Sequence, residues 1–348
     1  MSRPLAVGEV AVVSVGACTP VGLTARVTQA ERRAGTVGFV RTEVRDGRRE
    51  RMRASRLPLL KEDRTRTQRM VALGATALTE CLAEVRQWGV LRLPVVLGLP
   101  EEQLGAPWEQ EVLKEALEQQ AAAVKLEWEA GEWRVGRAGL FPALVRAREL
   151  LRQQRSPYVL VGGVDCLSDR ASLRRLVELG RCLSEQGREG VLPGEGAGFL
   201  LLANAEAVRR QRLPVKGWLV AESSGREERH FRQREPNQAE GLTEVFHQLR
   251  QHPLLRGQRV AYVLSCQTGE AYWAKEFAQA YLRNAELFPE PLVVEDVAQT
   301  LGEAGAAAGA LQAGYGLYLL SKRGGGRVLV CGSSDGGCVG ACVLEVQP

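Results

Sequence analysis

Histidines, cysteines and glycine-rich turns are the places where this chain could do chemistry. His230, His247 and His252 are the three histidines of the sequence. The last two fall on or at the end of a helix before the strand at Val260. They are five residues apart, one more than the spacing that sets two ligands on one helical face. Surface or capping roles suit them, and the chain then lacks the commonest general base. Cys331, Cys338 and Cys342 lie close together, but their spacing fits no zinc pattern and no histidine is near. They read as small buried hydrophobes, and no metal site is expected. Gly332-Ser333-Ser334-Asp335-Gly336 matches the spacing of a serine-hydrolase elbow. That elbow needs strand, turn and helix, with a histidine further on; here a strand follows and no later histidine exists. Gly194-Glu195-Gly196-Ala197-Gly198 precedes a strand and lacks the Lys-Ser/Thr pair of a phosphate loop, so it reads as a tight turn.

The elements that must position these residues alternate. Short apolar runs predict strands at Val10–Val15, Pro94–Leu99, Tyr158–Val161, Gly198–Ala203, Val215–Ala221, Val260–Leu264, Arg327–Cys331 and Ala341–Val346. A 3.6-residue period predicts helices at Thr24–Arg33, Arg66–Trp88, Trp108–Val124, Leu140–Gln154, Ala171–Leu179, Glu240–Gln251, Tyr272–Asn284 and Ala304–Ser321. Lys125–Val135 reads as a strand pair, with Trp128 and Trp133 flanking a turn at Ala130-Gly131. The pattern also repeats. Val10–Gly16 corresponds to Val215–Ala221, and Val95–Pro100 to Val260–Ser265. Tyr158–Asp165 corresponds to Arg327–Ser334, and the return strand at Gly198–Leu202 to that at Ala341–Glu345. Each half reads strand, helix, strand, helix, strand, strand, with the boundary in a basic helical connector at Ala205–Pro214. Halves of 1–207 and 208–348 are expected to pack their sheets around shared helices, giving an α/β, thiolase-like, duplicated fold of five layers, αβαβα.

The chain has 348 residues, 45% hydrophobic and 25% charged, with a net charge of +5. Nothing in that composition suggests disorder, and no apolar run approaches a transmembrane length. The mild net charge argues against an electrostatic nucleic-acid binder. Met1–Val15 carries Glu9 within its apolar stretch, so no signal peptide is expected. Eight cysteines without an export signal point to reduced thiols and a cytoplasmic protein. The charge is uneven: Arg41–Arg69 holds eleven Lys or Arg against five Asp or Glu. Such a run suits a solvated loop and helix start, or a docking surface for an acidic partner.

Several segments, in order, resemble the beta-ketoacyl-ACP synthases. Val10-Ala-Val-Val-Ser-Val-Gly-Ala-Cys-Thr-Pro-Val-Gly22 is similar to their opening strand and turn. Tyr158–Asp165, followed by Arg188-Glu-Gly-Val-Leu-Pro-Gly-Glu-Gly-Ala-Gly-Phe199, is similar to their central strand and the loop after it. Gln299-Thr-Leu-Gly-Glu-Ala-Gly-Ala306 resembles the segment of their second histidine, and Ser334-Asp-Gly-Gly337 their C-terminal glycine-rich loop. The resemblance runs from about residue 8 to 346 and implies the five-layer fold, usually as a homodimer.

Those synthases use a cysteine nucleophile at the start of a buried helix and two histidines that assist malonyl decarboxylation. Carried over position by position, the nucleophile falls on Gly136 or Arg137. The first histidine falls on Cys266 of Cys266-Gln-Thr-Gly-Glu270, and the second on Gln299. The oxyanion loop falls on Asp335, Gly336 and Gly337, with Asp335 at the family's phenylalanine. The resemblance therefore implies a degenerate member without the Cys-His-His set, shortened between Pro100 and Gly136 where the family builds its acyl tunnel and dimer contacts.

Three functions are compatible with this reading. The first is a non-condensing protein of fatty-acid or polyketide type that pairs with an active synthase or binds an acyl carrier protein or acyl thioester. It needs no cofactor, though acyl-phosphopantetheine is a possible ligand. The second is an acyl-thioester enzyme with chemistry relocated to Cys266. The third is an interaction scaffold whose old cavity is plugged by side chains such as Arg137, Trp133 or Phe141. Cys266 and Gln299 are expected within contact distance at the floor of the old pocket, with Asp335 close to both. A homodimer, or a heterodimer with a related synthase, is expected to pair through Trp133-Arg134-Val135.

Overall fold

Alternating apolar residues decide which layer each strand faces. In β1 (Val10–Cys18), Val10 and Val12 point into one core while Ala11 and Val13 point into another. That pattern marks a strand buried on both sides. The computed structural model describes residues 9–47, 49–131, 133–183 and 189–348. Residues 1–8, Arg48, Glu132 and Arg188, which fall in stretches discussed above, lie outside the described residues.

After β1 come α1 (Ala25–Arg33), a hairpin of β2 (Phe39–Arg45) and β3 (Arg51–Ser55), and α2 (Arg66–Cys81). Next are β4 (Arg92–Gly98), α3 (Gln110–Ala121), β5 (Lys125–Trp128) and α4 (Leu140–Arg152). Then follow β6 (Tyr158–Cys166), α5 (Arg170–Glu178), β7 (Glu195–Asn204) and α6 (Ala205–Gln211). The chain continues through β8 (Gly217–Arg226), α7 (Glu240–Gln251), β9 (Tyr262–Ser265), α8 (Ala271–Leu282) and β10 (Val294–Asp296). It closes with α9 (Ala298–Leu301), α10 (Ala308–Lys322), β11 (Gly326–Ser333) and β12 (Cys338–Val346).

The sheet order is β10-β9-β11-β12-β8-β1-β7-β6-β4-β5. Read outward from the centre, β1-β7-β6-β4-β5 is mirrored by β8-β12-β11-β9-β10: the four inner pairs are those of the sequence repeat, and β5 with β10 adds a fifth. The two runs join where Val10, Ala11 and Val12 pair antiparallel with Leu219, Trp218 and Gly217. One core lies under α2 and α3, including Leu73, Leu78, Leu113 and Leu117. A second lies between the runs, around Phe141, Leu144, Ala313 and Leu320 of α4 and α10. A third lies under α7 and α8, around Phe246, Phe277 and Phe288. Helices, sheet, helices, sheet, helices: these are the five layers of the thiolase-like fold. Close approach of the central helices needs small residues, and a Cβ at Gly340 of β12 would stand 2.3 Å from the Phe141 Cβ.

Local expectations needed correction in four places. Lys125–Val135 is not a strand pair: β5 runs parallel to β4 and stops at Trp128. Trp133-Arg134-Val135 forms no strand, because the chain must turn over the end of β4 to reach α4. Leu99 N–H donates to the Trp133 carbonyl at 2.8 Å, and Gly136 N–H to the Leu99 carbonyl at 3.0 Å. The outer strand of this run is thus β5. The helix from Arg66 ends at Cys81, followed by a separate 3₁₀ turn at Val85–Trp88. The helix expected from Ala304 starts at Ala308, since Gly305 with φ of +51° breaks the path into it. Finally, β2 and β3 pair as a hairpin where a loop was expected, with Thr42, Val44, Met52 and Ala54 buried. Among the described residues no helix is long and apolar enough to cross a membrane.

Candidate functional site

The parallel strands β4, β6, β9 and β11 end on one side of the molecule, where open α/β sheets gather their working loops. Five segments meet there: the turn into α4, the residues after β4, β9 and β11, and the bend before α10. Gly136 takes φ of +63°, and that left-handed step turns the following side chain, Arg137, inward. Arg137 is 1% exposed. Its Nε donates to the Ser333 carbonyl at 3.0 Å, its Nη2 to Asp335 Oδ1 at 2.9 Å and its Nη1 to Glu303 Oε2 at 3.4 Å. The next N–H, that of Ala138, donates to Ser334 Oγ at 2.9 Å.

A second guanidinium completes the cluster. Arg181 holds Glu270 with two parallel bonds, 2.8 Å from Nε and 2.7 Å from Nη2, and its Nη1 donates to Asp335 Oδ2. Glu101, after β4, receives Gly336 N–H at 2.6 Å and Asp335 N–H at 3.2 Å, with Arg232 Nη2 at 3.2 Å. Aromatic faces close the gaps: Arg137 lies 4.4 Å over Trp273, Arg181 lies 4.4 Å over Phe231, and the two rings stack at 5.4 Å. Three arginines meet four carboxylates. Each of these ion pairs joins a residue before α6 to one after it.

Burial opposes charge on Arg137, but Glu303 and Asp335 overcome it and hold the guanidinium above its ordinary value. Asp335 is treated the same way: burial would raise it, and Arg137 and Arg181 keep it below the usual carboxylate range. Glu270 is likewise held low by Arg181 against its burial. The surplus carboxyl is Glu303, 1% exposed, which burial pushes up to about 7 despite Arg137. Its Oε1 accepts Gly305 N–H at 2.7 Å. Burial, then the charge of Asp335, raises Glu101.

Cys266 follows β9 and is 0% exposed, with its N–H on the Cys331 carbonyl at 2.9 Å. Burial first, then the Glu303 charge, push its thiol far above the ordinary range. It packs among Val297, Leu301, Ala304 and Ala307. Gln299 is not beside it. Val297 and Leu301, two residues to either side of Gln299, belong to the same cluster, but the Gln299 side chain is exposed and donates to Asp296 Oδ2 at 3.4 Å. One turn of helix, α9, carries Gln299 on the outer side. The structure therefore brings together Gly136, Arg137, Asp335 and Gly336 with the surroundings of Cys266, and leaves Gln299 out. Gly337 takes φ of +93° and closes the turn into β12, its N–H on the Ser334 carbonyl at 3.0 Å.

Of the side chains named as plugs, Arg137 and Phe141 are buried at this spot, Phe141 lying against Gly332 and Gly340. Trp133 is instead part of the wall of an open cleft of about 590 Å³ beyond Glu101, with Leu97, Leu99, Leu113, Trp128 and Cys338. Arg181, Glu270, Glu303, Glu101 and Arg232 were not singled out from sequence. Glu270 and Glu303 do stand within the two motifs aligned with the family histidines. Their sign, opposite to Arg137, was the available signal.

No family model matches the sequence, and no curated protein does. Solved structures do match. A ketosynthase from module 6 of the bacillaene synthase of Bacillus subtilis 168 superimposes with a TM-score of 0.79, at 14% identity, covering 98% of this chain and 72% of that one. The chain has the ketosynthase fold. The ishigamide ketosynthase/chain length factor gives 0.78 at 16% identity, over 99% of this chain and 100% of the other. A type II polyketide acyl carrier protein in complex with its ketosynthase, bound to the hexaketide, gives 0.77 at 14% identity, over 99% and 100%.

Proposed function

We propose that this chain is a ketosynthase-fold protein without condensing activity, which acts by association: by pairing with an active synthase or by docking an acyl carrier protein. The observation that carries the proposal is Arg137. It is, with Gly136, one of the two positions where the resemblance puts the nucleophile, and its guanidinium is clamped by Glu303, Asp335 and the Ser333 carbonyl. A guanidinium so held is neither a nucleophile nor a base.

The residues at these positions do not fit an acyl-phosphopantetheine thioester, since the Cys266 thiol is fully buried and the space before it holds the ion-pair cluster. No step is assigned through that group. Relocated chemistry at Cys266 fails for the same reason, as a thiol raised by burial and by the Glu303 charge, and hydrogen-bonded to no base among the described residues, is not activated. The ketosynthase/chain length factor pairing and the carrier-protein complex among the solved structures support association as the mode of action.

The test has two arms. The pure protein, given malonyl and acyl thioesters on a carrier protein, should release no carbon dioxide and form no ketoacyl product. Isolated from its native cell without crosslinking, it should carry a synthase or a carrier protein identifiable by mass spectrometry. Decarboxylation by the pure protein that is abolished by Cys266→Ala would overturn the proposal.

A further inference from the structure

The hairpin β2–β3 carries a charge arrangement that its own stability does not favour. Its strands pair with Arg41 opposite Arg53 and Arg45 opposite Arg51. Residues directly opposite in an antiparallel pair share a face, and like charges there are destabilising. All four arginines are exposed, while Thr42, Val44, Met52 and Ala54 fill the inward face against Leu173 of α5. A bulge sets Thr42, Glu43 and Val44 opposite Met52 alone. Between Arg41 and Arg45 on the same strand, Glu43 is bound to Arg56 at 3.0 Å and also feels Arg170. Among the described residues, Arg51 and Arg53 have no side-chain hydrogen bond or ion pair.

We propose that the outward face of the β2–β3 hairpin, built on Arg41, Arg45, Arg51 and Arg53, is a docking surface for an acidic protein. The proposal deepens the reading above and rests on it only for the partner's identity. Two features favour protein carboxylates over a nucleic-acid backbone. The patch is a compact block two strands wide rather than a track, and Glu43 sits inside it, where a continuous line of phosphates meets repulsion but separate carboxylates find the arginines on either side.

The experiment measures binding of labelled poly-L-glutamate, a recombinant acyl carrier protein and a single-stranded oligo-dT to the full chain by fluorescence anisotropy, at low and at physiological salt. The variants are Arg51→Ala/Arg53→Ala and, as a control of equal charge change elsewhere, Arg152→Ala/Arg155→Ala. The hairpin variant should weaken poly-L-glutamate and the carrier protein at least about tenfold, and the control less than about twofold. Because the substitution removes two opposed like charges, it should melt no lower than the parent. Poly-L-glutamate lost at the hairpin, with no carrier-protein binding by the parent, leaves the docking surface standing and refutes the carrier-protein partner. Carrier-protein binding that ignores the hairpin substitution overturns the docking surface and leaves that partner standing. Absence of all acidic binding, oligo-dT binding as tight as poly-L-glutamate, or a clear fall in melting temperature each overturns the proposal.

Discussion

Glu303 makes the stability of this protein depend on pH in a direction opposite to that of Asp335 and Glu270, the carboxylates that arginines hold low. Its folded value is raised from 4.5 to about 7 by burial, while the unfolded chain releases the proton near the ordinary value. At low pH both states hold the proton and the group is neutral to stability. Between those two values the unfolded chain ionises and the fold does not, so stability falls as pH rises and levels off above about 7. At about 1.4 kcal/mol per tenfold, the fall attributable to this one group is about 3 kcal/mol. Asp296, raised to about 6, and Glu101 and Glu276, also raised by burial, slope the same way, so the informative quantity is a difference. Asp335 and Glu270 are held low and act only at more acid pH. Urea unfolding of the parent and Glu303→Gln across about pH 4.5 to 8 isolates the term, because glutamine fills the same space without titrating. The parent should lose about 3 kcal/mol more than the variant over that range. Parallel pH profiles would refute the reasoning, since they would mean Glu303 stays ionised beside Arg137.

Arg137→Ala removes the arginine bound to Glu303 and one of the two bound to Asp335 and should cost about 3 kcal/mol in urea unfolding near neutral pH, whereas Arg137→Met paired with Asp335→Asn should recover much of the loss. Brief alkylation with iodoacetamide, followed by peptide mass spectrometry, should label the partly exposed Cys182 and Cys338 before the buried Cys266. Gly340→Ala, whose new methyl would overlap Phe141, should lower stability by about 1–3 kcal/mol or more. Gln299→Ala should stay within about 0.5 kcal/mol of the parent, because that side chain faces solvent.

Much of the architecture was legible because its signals are local. Val10–Val13 announces a strand buried on both faces, and the likeness of Tyr158–Asp165 to Arg327–Ser334 announces the mirrored sheet. The site was legible in its backbone and not in its side chains. Glycines at Gly136 and Gly337 mark turns that any reader of spacing can place. The orientation of Gln299 is decided by a single turn of helix, too short for a period to show which side faces in. The partners of Arg137 lie 166 and 198 residues away, and no pattern in the neighbourhood of a charged residue reveals a pairing at that distance. The basic hairpin was hidden in a different way: its buried Thr42, Val44, Met52 and Ala54 alternate as a strand should, but they are outnumbered by the arginines between them.

The crossing of every ion pair in the cluster between the first and second runs of strands also bears on the order of folding. Arg181 meets Asp335 across 154 residues, and Glu101 meets Arg232 across 131. None of these contacts can form until both runs have largely assembled, because a guanidinium would otherwise leave water with no carboxylate to receive it. The cluster is therefore expected to close late, so Arg181→Ala should raise the unfolding rate in a urea chevron more than it lowers the folding rate. A cluster that joins the two runs in this way would act as a latch, setting how long the assembled chain stays assembled rather than how fast it forms.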